Sequence, residues 1–169
     1  LSGVGGDVHV EYSQETHHIR FSFDNLVLYS SLKEGKYPNY EAVIPKENPN
    51  SLVVSRTEFL QSIRRVGIYS NQSTFQVRVS LSEEATNITA EDMDFSNKAA
   101  ENISGAYTGD AMDIGFNSKF LREMLENMDG EEIRLEMSQP NRAALILPVT
   151  EFEESESLLM LIMPVMLNY

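Results

Sequence analysis

Over the first thirty residues, apolar side chains fall on alternate positions: Val8, Val10 and Tyr12, then Ile19, Phe21 and Phe23, then Leu26, Leu28 and Leu32 beyond an Asp24-Asn25 turn. A period of two is the spacing of a strand with one face on a core, so three such runs predict an antiparallel meander. Residues 35–50 break the pattern with Pro38, Pro45 and Pro49. Proline cannot donate to a ladder, and the stretch predicts a connection between two domains.

From residue 52 the periodicity changes. A short strand over 52–54 leads into a helix whose stripe is Phe59, Leu60, Ile63 and Val66, ended by Gly67. Ser55 followed by Glu58 has the spacing of a capping box, in which each side chain satisfies a free N–H of the other residue. Strands are predicted over 75–81, 87–93, 98–105 and 112–116. A second helix begins after Asn117, a good N-cap, with Phe120, Leu121, Met124, Leu125 and Met128 as its stripe and Gly130 as its stop. Strands over 133–137, 143–147 and 158–165 follow. TEFLQSIRRV and SKFLREMLEN align on their Phe-Leu pairs, Phe59-Leu60 and Phe120-Leu121. A strand-helix-three-strand unit used twice predicts an α+β domain with pseudo-twofold packing, two helices side by side on antiparallel sheets.

Composition narrows the function classes. With 169 residues and 41% hydrophobic content the chain can bury a substantial core. It has no cysteine, which removes disulfide scaffolds, thiolate zinc sites and cysteine nucleophiles and fits a reducing compartment. No basic segment followed by an apolar one opens the chain, so the expected location is cytoplasmic; Leu1 in place of an initiator Met leads us to expect a piece of a longer protein. The apolar run from Leu158 to Leu167 is shorter than the roughly 20 residues of a membrane span and contains Pro164, so no membrane partner is expected.

The net charge of −13 repels nucleic acid on average, yet an average says nothing about one face. The predicted helices present Arg56, Arg64, Arg65, Lys119 and Arg122 against Glu58, Glu123 and Glu126, whereas Glu83, Glu84, Glu91, Asp92, Asp94 and the cluster at 151–156 sit on strands and loops. Such a face is either solvated surface or a weak phosphate-facing layer. His17 and His18 are neighbours on a predicted strand and point to opposite faces, so they cannot share a metal. Asp92 and Asp94 lack a nearby nucleophile or histidine. No catalytic set, metal site or cofactor loop emerges. The chain reads as a binding module rather than an enzyme; a hydrolase or a secreted β-rich adhesin is the alternative.

Four stretches in order, GKYPNYEAVIP (35–45), MDIGFNSKFLREML (112–125), PNRAALILP (140–148) and LIMPVML (161–167), resemble the bacterial beta sliding clamp, the processivity subunit of the replicative DNA polymerase, above all clamps of the Bacteroidetes type. The resemblance implies a DNA-clamp fold. Residues 1–34 would be the closing strands of a middle domain, 35–51 the inter-domain connection and 52–169 the C-terminal domain. It also implies a homodimeric ring around double-stranded DNA, with helices inside and sheet outside, so that Arg56, Arg64, Arg65, Lys119 and Arg122 would face the DNA. Polymerase, clamp loader and repair proteins would dock through short linear motifs. The pocket for those motifs would use Pro38, Val43, Leu161, Met163 and Pro164 in its deeper part and Asn117, Phe120, Ile162, Val165 and Met166 in the neighbouring groove. Ala42 and Met166 stand where many members carry Arg.

Overall fold

A computed structural model describes residues 7–149 and 157–167. The acidic cluster at 151–156 lies outside the described residues. The chain divides into two compact units, Leu1–Asn39 and Tyr40–Tyr169, so the boundary falls inside the proline-rich connection.

The first unit is the meander that the alternation predicts: β1 (His9–Ser13), β2 (His18–Phe23) and β3 (Leu26–Ser31) pair antiparallel in that order. The sequence reading placed His17 on a strand; instead it holds a left-handed turn conformation, φ 52°, before β2 begins. Arg20 and Glu11 face each other across β1 and β2 at 2.6 Å. Val10, Tyr12, Leu26, Leu28 and Tyr29 are exposed, and among the described residues the buried core lies in the second unit.

The second unit runs β4 (Asn50–Ser55), α1 (Arg56–Gly67), β5 (Gln76–Leu81), β6 (Thr86–Asp92), β7 (Asn97–Ile103), β8 (Gly105–Thr108), β9 (Met112–Asn117), α2 (Ser118–Glu126), β10 (Glu132–Met137), β11 (Ala144–Pro148) and β12 (Met160–Ile162), after a single 3-10 turn at Tyr40–Val43. One sheet has the order β12-β11-β10-β4-β8 and the other β7-β6-β5-β9. The opening strand of each repeat therefore pairs in the sheet of the other, β4 on β10 and β9 on β5. This exchange ties the two repeats into one core, where Leu52, Phe59, Ile63, Ile114, Phe116, Leu121, Leu125 and Ile133 are sealed from solvent. Each such side chain contributes about 1.5–3 kcal/mol of apolar burial.

Two elements differ from expectation. The strand predicted over 98–105 is really two, because the chain changes sheets at Ser104: β7 pairs with β6, and β8 pairs with β4. The strand predicted over 158–165 pairs with β11 only from Met160 to Ile162; Pro164 interrupts it, and Val165 then bridges to Gly115 of β9.

The helix starts also correct the repeat alignment. Ser55 accepts the N–H of Glu58, and Asn117 accepts those of Lys119 and Phe120, so the two caps are equivalent. Counting from the caps, buried Phe59, Ile63 and Val66 match buried Leu121, Leu125 and Met128. The Phe-Leu pairs that align by eye are thus one residue out of register, and exposed Phe120 corresponds to Glu58. Nor does Glu58 close its capping box: its carboxylate accepts the N–H of Ser104 at 3.2 Å, pinning the point where β7 becomes β8.

The helices run antiparallel, side by side. At one end Arg56 donates to the carbonyl of Leu125 (3.0 Å), an acceptor that the end of α2 leaves free, and to that of Gly130 (2.8 Å) in the turn beyond it. At the other end Gly67 meets Ser118, whose Cβ lies 3.1 Å from where a glycine Cβ would project. Small residues set the close approach there.

Candidate functional site

The tail is built on β12. Ile162 pairs with Ala144 and is buried in the core, whereas Leu161, opposite Leu145, points to the other face and is partly exposed. Met163 is exposed. After Pro164 the N–H of Val165 donates to the carbonyl of Gly115 at 2.9 Å. Only glycine permits this path: a Cβ at position 115 would lie 2.6 Å from the Val165 carbonyl oxygen and 2.8 Å from Leu167 Cδ2. The tail crosses over the sheet where any other residue would place its side chain.

Beyond that crossing, Val165, Met166 and Leu167 face the turn between β10 and β11. Together with Gln139, Pro140, Asn141 and Asp113 they line a pocket of about 320 Å³. The turn is closed by the N–H of Arg142 donating to Gln139 O at 3.0 Å. Asp113 is the charged member of the lining, with Arg78 Nη1 at 3.6 Å from its carboxylate, longer than a hydrogen bond.

Of the residues the sequence singled out for docking, the structure places Val165 and Met166 together in this pocket, with Met163 and Pro164 on the chain leading into it. Ile162 is a core residue. Asn117 spends its side chain on the α2 cap and on Thr74 O at 3.0 Å, while Phe120 beside it is 58% exposed. Val43 is exposed on the 3-10 turn, and Pro38 is exposed in the first unit. Asp113, Gln139, Pro140, Asn141 and Leu167 were not among the expected pocket residues. The Pro140-Asn141 pair signals a turn, but its meeting with the tail is a tertiary fact.

The helix face is less basic than its arginines suggest. Arg56 is half-buried and committed to the α2 carbonyls, which corrects its expected place on an outward face. Arg64 pairs with Glu126 at 2.9 Å, and Arg122 reaches the same carboxylate at 3.4 Å. Arg65 holds Glu101 of β7 through two 2.7 Å hydrogen bonds; these bonds draw the Glu101 pKa below its ordinary value and raise that of Arg65. The Lys119 ammonium sits over the Phe75 ring, 3.3 Å from its centroid. Arg64, Arg65, Lys119 and Arg122 nonetheless remain exposed at their tips.

Asp92 is buried and accepts the N–H of Asp94 at 3.0 Å, so this carboxylate pair shapes the β6–β7 turn. Among the described residues no group of three metal-ligating side chains gathers, and no helix is long and apolar enough to cross a membrane.

Two strand-helix-three-strand repeats that exchange their opening strands, with paired helices against both sheets, define a domain of the DNA-clamp class. The chain belongs to the beta sliding clamp family: residues 41–166 match the family model described as DNA polymerase III beta subunit, C-terminal domain. The beta sliding clamp of Pseudomonas putida is 34% identical over 130 residues, 77% of this chain and 35% of its own length. That of Vibrio cholerae is 28% identical over 149 residues, 88% of this chain and 39% of its own. Among solved structures, the sliding clamp (DNA polymerase III subunit beta) of Bartonella birtlesii bound to griselimycin superposes with a TM-score of 0.89 at 29% identity, covering 98% of this chain and 42% of that one. The griselimycin-bound clamp of Pseudomonas aeruginosa gives 0.87 at 28% identity, with 98% and 43% covered. The chain thus spans about a third of the length of the curated relatives it matches, 32–39%.

Proposed function

We propose that this chain is the C-terminal domain, with the closing strands of the preceding domain, of a sliding clamp: a homodimeric ring that encircles duplex DNA in the cytoplasm and tethers the replicative polymerase, clamp loader and repair proteins. In this reading residues 1–34 close the middle domain, 35–51 form the connection, and the protein is a binding module with no chemistry of its own. The observation that carries it is the tail pocket, where Val165, Met166 and Leu167 meet the turn at Gln139, Pro140 and Asn141. Unbranched, polarisable Met166 suits a site that receives several guests, because it repacks at little cost. Exposed Phe120, Met163 and Val43 provide further apolar surface for anchors of a short linear motif.

The helix pair is the DNA-facing layer, through Arg64, Arg65, Lys119 and Arg122. Their sharing among Glu101, Glu126 and the Phe75 ring leaves a weakly cationic face. Weak, sequence-independent phosphate contacts suit a ring that slides, since tight ones would fix its register.

The test is binding of a fluorescent Gln-x-Leu-x-Leu-Phe peptide to the 169-residue chain and to a version ending at Met163. Saturable binding that is lost on truncation supports the docking role. Equal binding to both forms, or none to either, removes the tail from it.

A further inference from the structure

We propose that the Lys36-Tyr37 bond is a processing site for an endoprotease that cleaves after basic residues, and that its hydrolysis frees the second unit as a folded domain. The inference stands apart from the docking reading. A protease binds its substrate as an extended stretch of several residues, so a cut needs chain that is exposed and outside helices and strands on both sides of the scissile bond. Residues 33–39 meet that condition: all are exposed, and they lie between β3 and the 3-10 turn at Tyr40–Val43. Gly35 holds φ +122°, with nothing within 4 Å of where a Cβ would project, so open space surrounds the chain one residue before Lys36.

Of the 13 lysines and arginines, all but Lys33, Lys36, Lys46 and Arg142 lie in helices or strands. The other three of these four are restrained. Lys33 follows Leu32, whose N–H donates to His17 O at 2.7 Å, and precedes Glu34, a carboxylate that the acidic pocket of such a protease repels. Lys46 stands between Pro45 and Glu47, in a bend that Asn48 ties by donating to Pro45 O at 3.4 Å. Arg142 sits in the turn closed onto Gln139 O, with β11 starting at Ala144. Lys36 has Gly35 before it and Tyr37, 79% exposed, after it. Water adds across the bond, leaving a carboxylate on Lys36 and an amine on Tyr37. The break precedes the boundary between the two units, Leu1–Asn39 and Tyr40–Tyr169, and removes no member of the buried core, which begins at Leu52.

The experiment is limited digestion of the full 169-residue chain with a trace of trypsin, read by intact mass spectrometry, beside the variants Lys36→Gln and Lys46→Gln. The first cut is expected between Lys36 and Tyr37, and the product 37–169 should outlast the parent chain by about tenfold, because further cuts need its helices and sheets to open. Lys36→Gln, a change at an exposed position, should slow the first cut by about fivefold or more, and Lys46→Gln should leave its rate unchanged. A first cut at any other residue overturns the site, as does a rate that survives Lys36→Gln. A product digested as fast as the parent overturns the release of a folded domain.

Discussion

The two repeats of the second unit share their path up to the last strand and then diverge. In the first, Ile103 ends β7 buried, the chain switches sheets at Ser104, and β8 zips onto β4 through four consecutive pairs from Ser51–Thr108 to Val54–Gly105. In the second, Ile162 ends β12 buried in the same way, but only Val165 makes the matching pair, with Gly115 standing where the first repeat has Val53. Buried Tyr107, whose hydroxyl donates to Asp110 O, therefore has exposed Met166 as its counterpart. Glu58, which clamps the switch at Ser104, has Phe120, and Ser104 itself has Met163, both more than half exposed at 58% and 61%. One repeat closes its edge with hydrogen bonds; the other leaves apolar side chains at the same stations. An exposed apolar surface arises here from a repeat that stops short of its own symmetry.

If the closed repeat owes its closure to the Asn50 junction, Gly109→Ala should be the most damaging of five changes. Gly109 holds φ +131°, and a Cβ there would lie 2.2 Å from Asn50 Oδ1 and 2.9 Å from Asn50 Cα, while Asn50 accepts from Asp110 N and donates to Ser138 O. A loss of about 3 kcal/mol is expected in denaturant titration. A loss of less than about 0.5 kcal/mol would mean the closure is dispensable.

Gly115→Ala attacks the open repeat. The new Cβ collides with the tail, so peptide affinity should drop at least tenfold while stability falls by about 1–2 kcal/mol, the bridge being a single pair. Unchanged peptide binding would show that the tail can reach its docking position by another path.

The paired exchange of Glu58 and Phe120 then separates the two roles. Glu58→Ala strands the Ser104 N–H and should lower stability by about 1 kcal/mol without touching peptide binding. Phe120→Ala should leave stability within about 0.5 kcal/mol, as for an exposed side chain, and weaken peptide binding several-fold. Equal behaviour in both assays would erase the distinction between the repeats.

The smallest effect is the pH response of Arg65 and Glu101. The folded state holds the Glu101 pKa below its unfolded value, so the stabilisation is present at neutral pH and is lost as pH falls through the carboxylate range. The corresponding position of the second repeat is Met160, which cannot titrate, and Glu101→Gln should flatten this acid-side component of the stability curve. An unaltered curve would show that the pair contributes nothing measurable, as many exposed pairs do.

Periodicity carried most of the elements, because a strand or helix with one buried face writes its period into the chain. The meander, both helices with their caps at Ser55 and Asn117, and the strand-helix-three-strand repeat were legible, whereas the strand predicted over 158–165 extends only from Met160 to Ile162. Local pattern failed where a residue's partner was distant in sequence. The Phe-Leu match put the helices one residue out of register because a 3.6-residue period tolerates a shift of one; burial of Leu121 rather than Phe120 settles it. The capping-box spacing at Ser55 and Glu58 was real, yet Glu58 went to Ser104. Arg56 and Arg64 read alike in the sequence, but the fold gives one to the α2 carbonyls and the other to a surface ion pair. The pocket depended on tertiary structure throughout: Asp113, the Gln139 to Asn141 turn and the tail come from separate parts of the chain. A sequence records which faces are apolar; which faces meet is decided by the exchange of strands between the repeats, and that is where the tail and its pocket are made.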